Sequence, residues 1–407
     1  MAATLDAAGG RRNRRLILTI AFFGSLFFER ALWIVYLSEE GYSLFEISLL
    51  QALLNIGMVV GEIPTGVLAD RIGRRPLLVA GRLASVLYLG ALLLPQEQWL
   101  LVGAFAIYGV GLTCISGAEE AMLYEADRAE DPERGFARLV GRYMAILTFA
   151  PTVALGLGGL LQLVSWELVF LTALAAQLVA AVLSAILSEP RHERVERPPT
   201  LREQLRELRE TIRVAPAVRP LIIGSALFTG VTSTFYLAAQ DLFAGEGFDP
   251  TAIGFIFAIE SLLATIAATL AYRAERRLGM RGALTVSLAV GAVAFVAIGG
   301  GAVALVAAFL VLGFVDNVID PVSHNALNDR IPDEHRSSVL SVLSALGALA
   351  MALLFPLIGA ASQYVSQTAL WMGTGAVLML VSLWLLRRAA PARDVRPGAA
   401  ATIEEPA

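Results

Sequence analysis

The chain contains no lysine: all 31 of its basic residues are arginine. A phosphate-binding loop of the G-x-x-x-x-G-K-[ST] type, a pyridoxal Schiff base and a retinal linkage all need that amine, so these chemistries are excluded. Cysteine is nearly absent as well, and the lone Cys114 permits neither an internal disulfide nor a site with two thiolate ligands. The three histidines, His192, His324 and His335, show no H-E-x-x-H or comparable spacing. No G-x-S-x-G motif occurs either, so no enzymatic site, metal or cofactor is expected. Charge is scarce too. Charged residues make up 16% and hydrophobic ones 57%, against about 25% and about 45–50% in soluble domains. That balance excludes an ordinary soluble protein.

What the chain has in abundance is long apolar runs. They fall near 16–37, 44–69, 76–94, 99–122, 136–163, 167–188, 217–240, 251–272, 282–299, 302–324, 337–361 and 367–386. Each is close to the ~20 residues that cross a bilayer as a helix. The pattern predicts twelve spans, six on either side of a polar gap. Arginine sets the orientation: 28 of the 31 lie at the N-terminus, in the loops after even-numbered spans, or in the tail, and the odd-numbered loops hold none. By the positive-inside rule both termini and the even-numbered loops face the cytoplasm. Trp99, Trp166 and Trp371 each open a span on the arginine-free side, at the headgroup level that amphipathic rings favour.

The expected organisation is an N-terminal cytoplasmic segment (1–15), a six-helix bundle (16–188), a cytoplasmic linker (189–216), a second six-helix bundle (217–388) and a disordered tail (389–407). In the linker, Thr200 and Glu203 form a capping box ahead of Leu201, Leu205, Leu208 and Ile212 at helical spacing. An amphipathic helix on the inner leaflet is predicted there, with lipid headgroups as its neighbours. The halves also repeat. Asp127-Arg128 and Arg134 after span 4 match Asp329-Arg330 and Arg336 after span 10, while the segment 69–74 after span 2 has a looser echo in 274–281. Duplicated six-span halves place a substrate site between them near the midplane.

The segment Gly66-Val-Leu-Ala-Asp70-Arg71-Ile-Gly73-Arg74-Arg75-Pro-Leu-Leu resembles the loop 2–3 motif of the major facilitator superfamily, G-x-L-a-D-r-x-G-R-[KR]-x-x-l, at every signature position. The resemblance covers roughly residues 15 to 388 and implies an all-α membrane protein of two pseudo-symmetric six-helix halves that carries a small molecule by alternating access. It further implies a conformational gate at Gly66, Asp70, Arg71, Gly73, Arg74 and Arg75, completed by an acid at the end of span 4, here Asp127. The branch it most resembles is that of the drug/proton antiporters, with two departures. Phe105 stands where those proteins have an arginine in span 4, four residues before a glycine, and their span 5 motif is reduced to Ala150-Pro151 with Gly156, Gly158 and Gly159.

Ionisable groups inside spans each cost about 2.5–3.5 kcal/mol on the insertion scale, so they are expected to face the bundle interior. Glu29 and Arg30 lie deep in span 1. In span 10, Asp316, Asp320 and His324 recur every four residues beside Asn317. The superfamily's central cavity is lined by spans 1, 4, 7 and 10. By that resemblance Glu29, Asp316 and Asp320 are the candidates for proton coupling, and Glu260 follows on its depth within span 8. Arg30, Asn317 and, from span 7, Thr229, Ser233, Tyr236 and Gln240 are the candidates for the cavity wall. Glu62, Arg82, Glu119, Glu120 and Arg142, nearer the inner ends, are expected to form gate or packing ion pairs. The leading functional expectation is proton-coupled efflux of lipophilic or cationic compounds across the inner membrane by a monomer, with substrate and protons as its partners and no nucleic acid. Transport of an anionic or polar solute, or of a lysolipid, is the alternative.

Overall fold

The computed structural model describes residues 7–130, 136–189, 219–328 and 336–388, and within these not the side chains of Ile63, Asp70, Asn328 or residues 336–342. Among the described residues the chain is helical, with no strand. The predicted linker helix, the tail and the Asp329-Arg330 echo lie outside the described residues.

The first crossing is broken. Helix α1 (Ala7–Gly24) and helix α2 (Trp33–Glu39) are separated by turns over residues 25–32. The N-terminal half continues through α3 (Leu44–Ile72), α4 (Arg74–Leu92), α5 (Gln98–Glu130), α6 (Ala137–Gln162) and α7 (Trp166–Ile186). The second half runs through α8 (Arg219–Gly245), α9 (Pro250–Ala297), α10 (Ala302–Asn328), α11 (Arg336–Ala361), α12 (Gln367–Leu370) and, after a π-helical turn at Trp371–Gly375, α13 (Ala376–Arg388).

Ten described helical stretches are long and apolar enough to cross a membrane, against twelve runs in the sequence. Two local features account for the difference. The first crossing is interrupted, and of its two pieces α1 carries four arginines in 18 residues while α2 has only 7 residues. The stretch Pro250–Gly300 contains two runs joined at Gly279, where the backbone leaves helical geometry at φ 67° and ψ 162°. Two other helices overrun the expected spans, with α5 continuing to Glu130 and α10 to Asn328. Asp127, expected in a loop, therefore stands on a helix. Its neighbourhood Ala126–Glu130 is rich in good helix formers, and Arg14 of α1 lies 2.5 Å from Glu130 and 3.9 Å from Asp127.

Local signals repeat between the halves at the same places. Gly73, after the second crossing, has φ 96° and ψ 167°, close to Gly279 after the eighth. This combination is essentially restricted to glycine. The second and eighth crossings open with side-chain caps, Ser43 accepting from Glu46 N at 3.3 Å and Asp249 from Ala252 N at 2.7 Å. Ser165 and Ser366 cap the sixth and twelfth in the same way. Both cap pairs lie on the arginine-free side, where each supplies an acceptor for an otherwise orphaned helix N–H.

The halves meet along two seams. Along one, Thr251 Oγ1 donates to the Gly159 carbonyl at 3.0 Å, and Thr152 and Ser261 share a 2.7 Å hydroxyl bond. Along the other, Gly359 of α11 lies against Ser48 and the Leu44 carbonyl of α3. A third contact, at the break in the first crossing, closes the arginine-free end of the site.

Candidate transport cavity

Between the halves lies a cavity of about 670 Å³, in the usual range for a small-molecule site. Glu29, Arg30, Thr229, Ser233, Tyr236, Glu260, Asp316, Asn317 and Asp320 all line it. Thus one space holds side chains from crossings 1, 7, 8 and 10. It extends past Asp320 and His324, 3.5 Å apart and with side chains 60% and 41% exposed, toward the arginine-rich side.

Gln240 is placed elsewhere. Rather than lining the cavity, it is fully buried where the halves meet. Its Oε1 accepts from Ile34 N at 3.1 Å and its Nε2 donates to the Arg30 carbonyl at 2.9 Å. In an unbroken helix these two backbone groups, four residues apart, would bond to each other. A side-chain amide from the second half thus occupies one rung of the helical ladder in the first. Nearby, Ser38 Oγ donates to Asp241 at 3.4 Å, and Asp241 also accepts from Gln367. Together these contacts close the arginine-free end.

The break also separates two charged neighbours. Glu29 is buried at 4% exposure, and its Oε2 has no hydrogen-bond partner. Arg30 is exposed to the cavity with its guanidinium over the Phe27 ring, 5.5 Å from the centroid. On the opposite wall, Asp316 Oδ1 accepts from Thr232 Oγ1 at 2.7 Å. Glu260, 6% exposed, packs against Gly313 of α10, where a Cβ would fall 2.2 Å from its Oε1. The remaining surface is mostly apolar, a mixture of aliphatic and aromatic side chains. Tyr88 and Tyr108 stack at 4.3 Å, and Tyr236 meets Phe257 edge to face at 4.8 Å. The two tyrosines, with Trp33, Gln51 and Asn55, are cavity residues that the sequence reading did not single out. Their only signal was an uncharged side chain in an apolar run, which packed core residues share.

Arg82 lies outside this cavity. It forms a 2.6 Å ion pair with Glu119, and both side chains are at least 94% buried. Its Nη1 donates to the Gly24 carbonyl at 3.1 Å, and that carbonyl also accepts from Gln177 Nε2 at 3.1 Å. The Tyr143 hydroxyl donates to the other oxygen of Glu119 at 3.2 Å. Gly24 makes this approach possible, because a Cβ there would sit 2.1 Å from Arg82 Nη1. Helices α1, α4, α5, α6 and α7 are tied together just before the break. Of the other inner-end charges, Glu62, Glu120 and Arg142 are exposed.

At the loop 2–3 motif, Arg74 pairs with Glu125, two residues before the expected partner Asp127. Glu189 accepts from the backbone N–H groups of Arg74 and Arg75, both at 2.8 Å, at the start of α4. A carboxylate at a helix N-terminus satisfies orphaned donors and meets the positive end of the dipole.

A sequence profile described as Major Facilitator Superfamily matches residues 16–244 and 221–405. The chain belongs to that superfamily of membrane transporters. It is 24% identical over 371 residues to an uncharacterized MFS-type transporter, YxaM, of Bacillus subtilis (strain 168), covering 87% of this chain and 88% of that protein. It is 26% identical over 339 residues to the class C tetracycline resistance protein of Escherichia coli, covering 81% and 83%. Among solved structures it resembles a mutant of the nucleoside transporter NupG, with TM-score 0.78, 12% identity and coverage of 94% and 100%. It also resembles a D-xylose-proton symporter, with TM-score 0.71, 16% identity and coverage of 94% and 99%. At these identities the structural likeness speaks for the fold alone.

Proposed function

We propose that the protein exports small lipophilic compounds across the cytoplasmic membrane in exchange for protons, as a monomer with both termini in the cytoplasm. The observation that carries this reading is the cavity itself: Glu29, Glu260 and Asp316 approach one largely apolar space from both halves. Carboxyl groups removed from bulk water and facing a solute path are the usual means of coupling proton movement to transport. Thr229, Ser233, Tyr236 and Asn317 form the wall, and Asp320 stands at the mouth. The bundles 16–188 and 217–388 are the bodies that rock, with Gly66, Asp70, Arg71, Gly73, Arg74 and Arg75 as the gate on the cytoplasmic side. The likeness to a tetracycline resistance protein supports the outward direction, because expelling a toxic compound confers resistance to it.

The test uses acid-loaded proteoliposomes containing a lumenal pH dye. Adding neutral 2-naphthalenemethanol as a lipophilic probe should alkalinise the lumen in a protein-dependent manner. The triple variant Glu29→Gln/Glu260→Gln/Asp316→Asn should lose that response while still folding. An undiminished response in the triple variant would place coupling outside this cavity.

A further inference from the structure

We infer that the transported compound carries an anionic group, bound by Arg30, on a flat apolar body. This deepens the proposed function by naming the substrate class and rests on that reading for the identity of the cavity. An arginine presents five N–H donors in a planar fork and retains its charge throughout the physiological pH range. Phe27 covers one face of the Arg30 guanidinium and leaves the donor edge free. Among the described residues no carboxylate lies within ion-pair distance of that edge, and the Arg30 side chain makes no hydrogen bond there. The nearest acid in sequence, Glu29, lines the same cavity but is only 4% exposed, while Arg30 is exposed there.

The contrast with Arg82 shows that the fold can neutralise an arginine in this half when neutrality is required. Arg82 is given a carboxylate, a carbonyl and an amide. Arg30 is given an aromatic face and space. An arginine whose donor edge holds no hydrogen-bonded carboxylate of the protein is a strong site for a ligand carboxylate, which can bond bidentately to that edge. Trp33 and the stacked Tyr88–Tyr108 pair, all in the same cavity, provide flat apolar surface for the rest of the ligand.

The test is calorimetric titration of the purified full chain with three probes of one shape: 2-naphthoate, 2-naphthalenemethanol and 2-naphthylmethylammonium. Naphthoate should bind about 10- to 100-fold more tightly than the alcohol, as expected of a charge-assisted hydrogen-bonded pair. Arg30→Gln should abolish that preference while leaving the melting temperature near wild type, and Arg30→Lys should restore part of it. Tighter binding of the ammonium probe, or no preference for naphthoate, whether from equal affinities or from no binding at all, would overturn the inference. So would an Arg30→Gln variant that folds and keeps the preference. A naphthoate preference with no proton-coupled transport of either naphthoate or the alcohol would leave the anion site standing and remove the coupling reading. Proton-coupled transport without the preference would do the reverse.

Discussion

Arg30 and Arg82 are both arginines inside the spans of the first half, and they differ in nearly everything except residue type. Arg82 is 5% exposed and sits in a network that reaches five helices. Arg30 is exposed to the cavity and stacked on one ring. What separates them is the backbone of the first crossing. Helix α1 ends at Gly24, whose bare Cα lets Arg82 and Gln177 reach its carbonyl. Past that anchor the chain turns, and both Glu29 and Arg30 reach the cavity, Glu29 buried in its wall and Arg30 exposed to it. A membrane-embedded charge thus reads as structural or functional according to whether the fold has already given it a partner.

The largest expected effect breaks the Arg82 side of this contrast. Arg82→Gln leaves Glu119 buried without its counter-ion, which should cost about 3–5 kcal/mol. Arg82→Gln/Glu119→Gln should be less destabilised than Arg82→Gln alone, because the stranded carboxylate is gone. Melting curves of the two variants in one detergent check this. Equal losses would mean that the pair contributes through packing rather than charge.

Gln240 sharpens the comparison at the next scale. Leucine there removes both hydrogen bonds to the broken turn, at about 1–3 kcal/mol for backbone groups left unsatisfied in the interior. Ile34 N–H and the Arg30 carbonyl can recover most of that by bonding to each other. Gln240→Leu is therefore expected to melt near the wild type yet to favour the state open on the arginine-free side. Spin-label distances between the outer ends of α2 and α8 should lengthen. Unchanged distances together with a lowered melting temperature would make Gln240 a packing residue and not a latch.

The same residues show what the sequence could and could not reveal. The twelve crossings were legible because each needs a long apolar run. The repeat was legible because short motifs recur at fixed places. The cost of charge in a bilayer pointed Glu29, Glu260 and Asp316 inward, but only the family resemblance placed Glu29 and Asp316 in one cavity. Gln240 was misplaced because its position in the seventh crossing fits a cavity face, and only the kink opposite reveals a hydrogen-bonding role. The kink itself left little trace, since residues 25–32 contain neither proline nor glycine. Helix overruns such as α5 to Glu130 also escaped hydropathy, because a helix leaving the bilayer becomes polar without ending.

The smallest stability effect is expected at the inner surface, where Arg74 pairs with Glu125 at side-chain exposures of 22% and 27%. A pair so open to water contributes about 0–1 kcal/mol, so Arg74→Ala should hardly change the melting temperature. Its effect should appear instead in the balance between states if, as proposed, the motif is the gate where the two bodies close against each other. Distances between labels on the cytoplasmic ends of the two halves should shift toward the inward-open population, and Glu125→Gln should produce the same shift. If Arg74→Ala shifts that balance while Glu125→Gln does not, the relevant partner of Arg74 is another acid of the cluster, with Asp127 beside Arg14 the nearest to test. If neither variant shifts it, the charge of the pair has no gating role, and the backbone cap that Glu189 provides at the start of α4 becomes the feature to vary.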